Sequence, residues 1–172
     1  MSAITAKQLT DFKLLDALTS KELESIRSVM KEKHFASGKV IFHEGDGGGT
    51  IYFLLAGEVE ISQSLTLPTS KLEDYDHREK SIVRLSGEHS AVFGEVSLYS
   101  RHEDKRTATV TALTDCRMGL LTGANLDKIM DSNPDVGYKV MGNLARTVCD
   151  RLITANRNVL KLTTALSLVL EK

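Results

Sequence analysis

Glu95 and Arg106 are the two residues best placed to hold an anion carried on a sugar. Glu95 follows Gly94 inside the run Phe93-Gly94-Glu95-Val96, and Arg106 stands 106 − 95 = 11 positions later, with Thr107 beside it. A phosphate suits a guanidinium together with backbone N–H groups, which the first turn of a helix offers best. A sugar hydroxyl suits a carboxylate, which is an acceptor only. Glycine lets a bound group come close to the backbone. Gly94 offers that approach, and Glu95 an acceptor for the hydroxyl. Val96 and Ser97 fit one helical turn whose N–H groups face a phosphate, Arg106 neutralises it, and Thr107 adds a hydroxyl. Without a ligand the same stretch is a helical turn, a surface loop and a strand, with Glu95 and Arg106 as an ordinary ion pair. Spacing alone leaves both readings open.

The elements around this stretch change character twice. Thr19 to Glu22 forms a capping box, in which hydroxyl and carboxylate satisfy free N–H groups reciprocally, and Leu23, Ile26 and Met30 then recur at helical spacing. Ser37-Gly38 ends that pattern. Val40–Phe42 reads as a strand, and Gly45 to Gly49 as a turn rich in positive φ. Ile51–Leu55 and Glu58–Ile61 read as a hairpin across Ala56-Gly57. Residues 62–80 are polar and irregular and read as a long hairpin tip, with further strands at 81–85, 107–112 and 117–121. Short strands separated by turn signals predict an antiparallel sandwich or roll.

The C-terminal part is helical again. Ser132-Asn133-Pro134 predicts an N-cap with proline in the first turn. Gly137 and Gly142 leave room for the first turns to bend or separate. Leu152, Ala155, Val159, Leu162, Leu166 and Val169 repeat at intervals of three and four, as a heptad seam does. One helix over 134–170 would be about 55 Å long. Its seam either packs on its own sheet or is shared with a second copy.

Composition bounds the function. The chain has 172 residues, 41% hydrophobic and 26% charged, with a net charge of −1. That is one globular domain. No basic run advertises a nucleic-acid partner. No apolar stretch approaches the roughly 20 residues that span a bilayer, and the N-terminus has no apolar core of leader length, so no membrane partner and a cytoplasmic location are expected. Cys116 and Cys149 are expected as free, mostly buried thiols. His34, His43, His77, His89 and His102 are scattered, so no metal is expected. The absence of a phosphate-cradling Gly-Lys-Ser/Thr loop or an activated nucleophile argues against an enzyme.

Four stretches together resemble the cyclic nucleotide-binding domain family, which includes the catabolite activator regulators and the regulatory subunits of cyclic-nucleotide-dependent kinases. They are Phe35–Asp46, Ile51–Val59, Phe93–Leu98 with Arg106–Val110, and Asn133–Asp135. The third resembles that family's phosphate-binding cassette. The resemblance runs over about residues 12–160 and implies an α+β fold. That fold is an antiparallel eight-stranded, jelly-roll-like β-roll flanked by N-terminal helices and a long C-terminal helix. The implied divisions are 1–34 for the first helices, 35–122 for the roll with its cassette at 93–109, and 123–172 for the C-terminal helices and dimer seam. The implied ligand is cAMP or cGMP, with Glu95 on the ribose hydroxyl, Arg106 on the phosphate, and Gly94, Val96, Ser97, Thr107 and Val83 around it. Over the base, an ungapped match of the helix places Thr147 and Arg151. Matching Arg151-Leu152 to the family's Arg-Leu pair instead places Arg151 near Glu95 and Asn156 at the base. Thr107 beside Arg106 resembles cassettes that accept cGMP.

The expected activity is that of a regulatory sensor that signals through its C-terminal helix, as a homodimer, to an unidentified effector protein. The alternatives are a ligand-free dimeric module of the same fold, or the effector domain of a transcription regulator whose DNA-binding part is elsewhere.

Overall fold

The computed structural model describes residues 4–65, 78–99 and 105–170. The centre of the fold is β3 (Thr50–Ala56), whose sequence TIYFLLA is apolar almost throughout. Such a run fits a strand covered on both faces. Ile51 and Phe53 point to the helices, while Tyr52 and Leu54 point to a second sheet. All four are buried.

Two four-stranded antiparallel sheets result among the described residues. One has the order β1-β8-β3-β6 and the other β2-β7-β4-β5. The strands are β1 (Lys31–Phe35), β2 (Val40–Phe42), β4 (Glu58–Leu65), β5 (Arg78–Ser86), β6 (Val92–Phe93), β7 (Thr109–Ala112) and β8 (Cys116–Thr122). Helices α1 (Ala6–Leu9) and α2 (Ser20–Val29) precede the roll. A short α3 (Val96–Tyr99) interrupts it, and α4 (Gly123–Ser132) and α5 (Pro134–Leu170) follow it. This is the expected eight-stranded roll between N-terminal helices and a long C-terminal helix.

Several local expectations change. Ala56-Gly57 does not close a hairpin: β3 and β4 lie in different sheets. The chain turns a corner at Gly57, whose φ is +90° and where a Cβ would lie 2.5 Å from the Asp115 carbonyl oxygen. The segment expected to belong to the first helices ends in a strand, because β1 begins at Lys31. Its sequence, KEKHF, hides it. β1 is an edge strand of its sheet, and edge strands tolerate charge that discourages further pairing. Within the glycine-rich turn only Gly45 and Gly49 take positive φ, and Gly47 bridges to Lys105. Residues 66–77 of the hairpin tip expected over 62–80, and loop residues 100–104, lie outside the described residues.

The capping box at Thr19 forms, with Glu22 Oε2 accepting from Thr19 N at 2.7 Å. A second one, Thr5 with Gln8, caps α1. α5 is one helix of 37 residues with no break at Gly137 or Gly142. Gly137 lies where a Cβ would be 3.2 Å from Met130 Cβ, so its smallness lets α4 and α5 pack closely. Pro134 opens α5 as expected, directly after Asn133, whose carbonyl accepts from Val136 N at 3.0 Å, while Ser132 ends α4.

The first half of α5 packs on the fold through Val136, Val140 and Leu144. The buried Asn143 Nδ2 donates to the carbonyls of Leu14 (3.3 Å) and Asp16 (2.8 Å). Lys139 Nζ pairs with Glu22 at 2.8 Å. From Cys149 onward every described residue is exposed. Cys116 is buried, with burial pushing its thiol pKa up, whereas Cys149 is exposed, contrary to the expectation for both. No helix among the described residues is long and apolar enough to cross a membrane.

Candidate functional site

One cavity of about 670 Å³ lies between the second sheet, the segment 93–97, the approach to β7, and α5. Arg106 is built into its wall from the backbone up. Its N–H donates to Asp46 O and its carbonyl accepts from Gly45 N, each at 2.8 Å. The glycine-rich turn therefore fixes the backbone from which this side chain departs. Arg106 Nη1 then donates to Thr50 O (3.1 Å), Gly94 O (3.0 Å) and Ser97 Oγ (2.9 Å), and Nη2 to Thr50 O (3.1 Å). The guanidinium lies 4.3 Å from the Phe42 ring centroid and 5.5 Å from that of Tyr52.

Arg106 is only 5% exposed. Burial pushes its pKa down from the ordinary arginine value, while Tyr52, Asp46 and Glu95 push it back up. It stays cationic at physiological pH. No carboxylate lies within ion-pair distance of it among the described residues, and its Nε has no hydrogen-bond partner. Carbonyl oxygens, the Ser97 hydroxyl and ring faces make its direct contacts among the described residues.

Gly94 explains how the guanidinium gets so close. Its φ is +84°, and a Cβ there would lie 2.8 Å from Thr50 O and 2.9 Å from Arg106 Nη1. The glycine makes room for Arg106.

Glu95 is 3% exposed. Its Oε1 pairs with Nη1 of Arg151, which reaches across from α5, and Arg151 Nη2 donates to Val92 O at 3.1 Å. Among the described residues Glu95 Oε2 has no hydrogen-bond partner. The ordinary ion pair between Glu95 and Arg106 does not form; Glu95 pairs with α5 instead.

The structure brings most of the expected residues together. Gly94, Glu95, Val96, Ser97 and Arg106 line the cavity, joined by Thr107, Val83 and Arg151. Asn156 and Thr147 do not line it. Thr147 Oγ1 donates back to Asn143 O at 2.9 Å. With Arg151 set on Glu95, the helical period selects the residues three, four and seven positions on: Thr154, Ala155 and Asn158 line the cavity. That phase was available in the sequence once Arg151 was matched to Glu95, and it excludes Asn156. Gln63 on β4 also lines the cavity, and nothing in the sequence distinguished it from its polar surroundings.

The family model described as "Cyclic nucleotide-binding domain" matches residues 32–133. The chain belongs to that family. Among curated proteins it is similar to the cAMP-activated global transcriptional regulator Vfr of Pseudomonas aeruginosa, 26% identical over 141 residues, which cover 81% of this chain and 59% of Vfr. It is also similar to the cGMP-dependent protein kinase, isozyme 1, of Drosophila melanogaster, 35% identical over 101 residues, which cover 59% of this chain and 12% of the kinase. The chain thus spans less than two thirds of either relative. Among solved structures, the N-terminal domain of a transcriptional regulator from Streptomyces coelicolor superposes with a TM-score of 0.67 at 29% identity, covering 83% of this chain and 93% of that one. In this cyclic nucleotide-binding domain the matched span runs from β1 to the end of α4, so the part of α5 that borders the cavity lies beyond it.

No group of three or more His, Cys, Asp or Glu among the described residues could hold a metal ion.

Proposed function

We propose that the chain is a regulatory sensor that binds cAMP or cGMP in this cavity and signals through α5. The observation that carries the reading is Arg106, a buried cation on a cavity wall with no carboxylate within ion-pair distance among the described residues. A charge taken out of water is stable only with compensation. A cyclic phosphodiester supplies one negative charge and acceptor oxygens for the Arg106 guanidinium. Its ribose supplies a hydroxyl donor for Glu95 Oε2, the second unpartnered buried atom of the same cavity. Val96, Ser97 and Thr107 complete the surround of the phosphate and sugar, and Val83 adds an apolar contact. The names of the two curated relatives favour a cyclic purine nucleotide and leave its base open.

Signalling follows from where α5 is held. Arg151 is anchored on Glu95 and on Val92 O, both beside the sugar site. A ligand that hydrogen-bonds Glu95 changes the energy of that anchor, and only such a difference between bound and free states can shift an equilibrium. The seam of exposed apolar residues on α5 then transmits the shift through a homodimer to an effector protein. No catalytic role is assigned.

The test is calorimetric titration with cAMP and with cGMP, on the wild type and on Arg106→Ala. Losing a charge-assisted phosphate contact removes about 1.5–3 kcal/mol, tenfold or more in affinity. Binding that collapses in the variant establishes the sensor. No heat with either nucleotide, on folded protein free of copurified ligand, would make this a ligand-free dimeric module of the same fold.

A further inference from the structure

Beyond the groups assigned to phosphate and ribose, the polar side chains on the cavity wall are Gln63, Asp150, Thr154 and Asn158. Their positions divide them. Asp150 is next to Arg151 and lies at the level of the sugar site. Asn158 is 158 − 151 = 7 residues further along α5, which at 1.5 Å per residue is about 10 Å, about the span of a nucleoside from its ribose to the far edge of its base. Gln63 is two residues from Ile61 on β4 and shares its face. Ile61, Val83 and Leu85 form an apolar wall across the cavity from α5. A flat base lying against that wall would present its edge to the Gln63 carboxamide from the roll and to the Asn158 carboxamide from the helix. Neither carboxamide has a hydrogen-bond partner among the described residues.

We propose, resting on the sensor reading above, that Gln63 and Asn158 read the edge of the base, and that they do so without preferring adenine over guanine. A carboxamide carries a donor and an acceptor side by side and can turn either way round. One orientation meets the amino group and ring nitrogen of adenine. The other meets the oxygen and ring N–H of guanine. The fixed acceptor that would favour guanine, Asp150, lies about 12 Å back along the helix from Asn158. Because one carboxamide sits on β4 and the other on α5, a base that engages both ties the helix to the roll.

The experiment titrates the whole chain with cAMP, cGMP and purine riboside 3′,5′-cyclic phosphate, whose base has no exocyclic group. The wild type should bind cAMP and cGMP within tenfold of each other, and the unsubstituted purine about three- to tenfold more weakly. Gln63→Leu should weaken both natural nucleotides several-fold and weaken the unsubstituted purine, which keeps only ring-nitrogen acceptors, by less. Gln63→Glu presents acceptors only, so it should shift the ratio toward cGMP, whose base offers two adjacent donors; a folding defect cannot produce that shift. A wild-type preference above tenfold would overturn the proposal. So would an equal loss for all three ligands in Gln63→Leu, or no loss for any ligand in Gln63→Leu and Asn158→Leu. No binding of any ligand to the wild type would instead remove the sensor reading on which the proposal rests.

Discussion

Glu22 serves two partners at once. Its Oε2 accepts from Thr19 N at 2.7 Å to close the capping box of α2, and both of its oxygens pair with Lys139 Nζ of α5, at 3.0 and 2.8 Å. The bond from Lys139 holds the Glu22 carboxyl below the ordinary glutamate range, and the Thr19 N–H adds to this. A carboxylate whose pKa is depressed on folding stabilises the fold above its unfolded value, and that stabilisation is lost as pH falls through the folded value. Lys139→Met should therefore lower the urea midpoint near neutral pH, and the gap from wild type should close on acidification through the carboxylate range. A gap that stays constant with pH would mean that Lys139 acts through packing. Glu95 was legible because a charged side chain inside an apolar run is rarely idle, and Arg106, at the end of a charged run, through its spacing from Glu95 and the motif shared with the family. Their partners were not legible from spacing; one of the two registers that the resemblance allowed set Arg151 near Glu95, and the structure has that pair. Pairing Glu95 with Arg151 needs the turn of α5 relative to the roll, and spacing along the chain does not contain that angle.

Among elements, the helices and the two-sided β3 announced themselves through period and apolar length, while β1 and the corner at Gly57 did not. A charged edge strand has no apolar period to read, and a two-residue break between strands looks the same whether it closes a hairpin or carries the chain to another sheet. α5 shows a further limit. Gly137 and Gly142 are alike in sequence, but a Cβ at Gly137 would meet Met130 at 3.2 Å, whereas at Gly142 the nearest atom is Arg146 Nη1 at 3.9 Å. Gly142→Ala should then stabilise the protein by about 0.5–1 kcal/mol, the helix-propensity gain. Gly137→Ala should gain less or lose stability, because Met130 must move. Scanning calorimetry of both variants reads this directly, and equal gains would contradict the close packing of α4 on α5.

At the scale of the whole molecule, the exposed stripe on α5 is longer than the seam read from sequence. Leu152 (58%), Val159 (59%), Leu162 (71%) and Val169 (71%) lie open, and the same rhythm continues backwards through Val148, Met141 and Tyr138, which is 84% exposed. The continuation was hidden because the glycines suggested that the helix started late. The proposed homodimer would cover this stripe by the coiled-coil pattern. Sedimentation of the wild type should show a dimer, and Val159→Glu with Leu162→Glu should show a monomer; a monomeric wild type would leave the stripe to another partner. Geometry gives this helix one more property. Asn143 is pinned to the turn that carries Leu14 and Asp16, Arg151 lies 151 − 143 = 8 residues beyond it, and Leu170 lies 170 − 143 = 27. Taken as a rigid rod pivoting at Asn143, α5 multiplies a displacement at Arg151 by about three at its far end, a ratio set by its constant rise per residue. On that geometry a displacement of half an ångström at Arg151 becomes about an ångström and a half at Leu170.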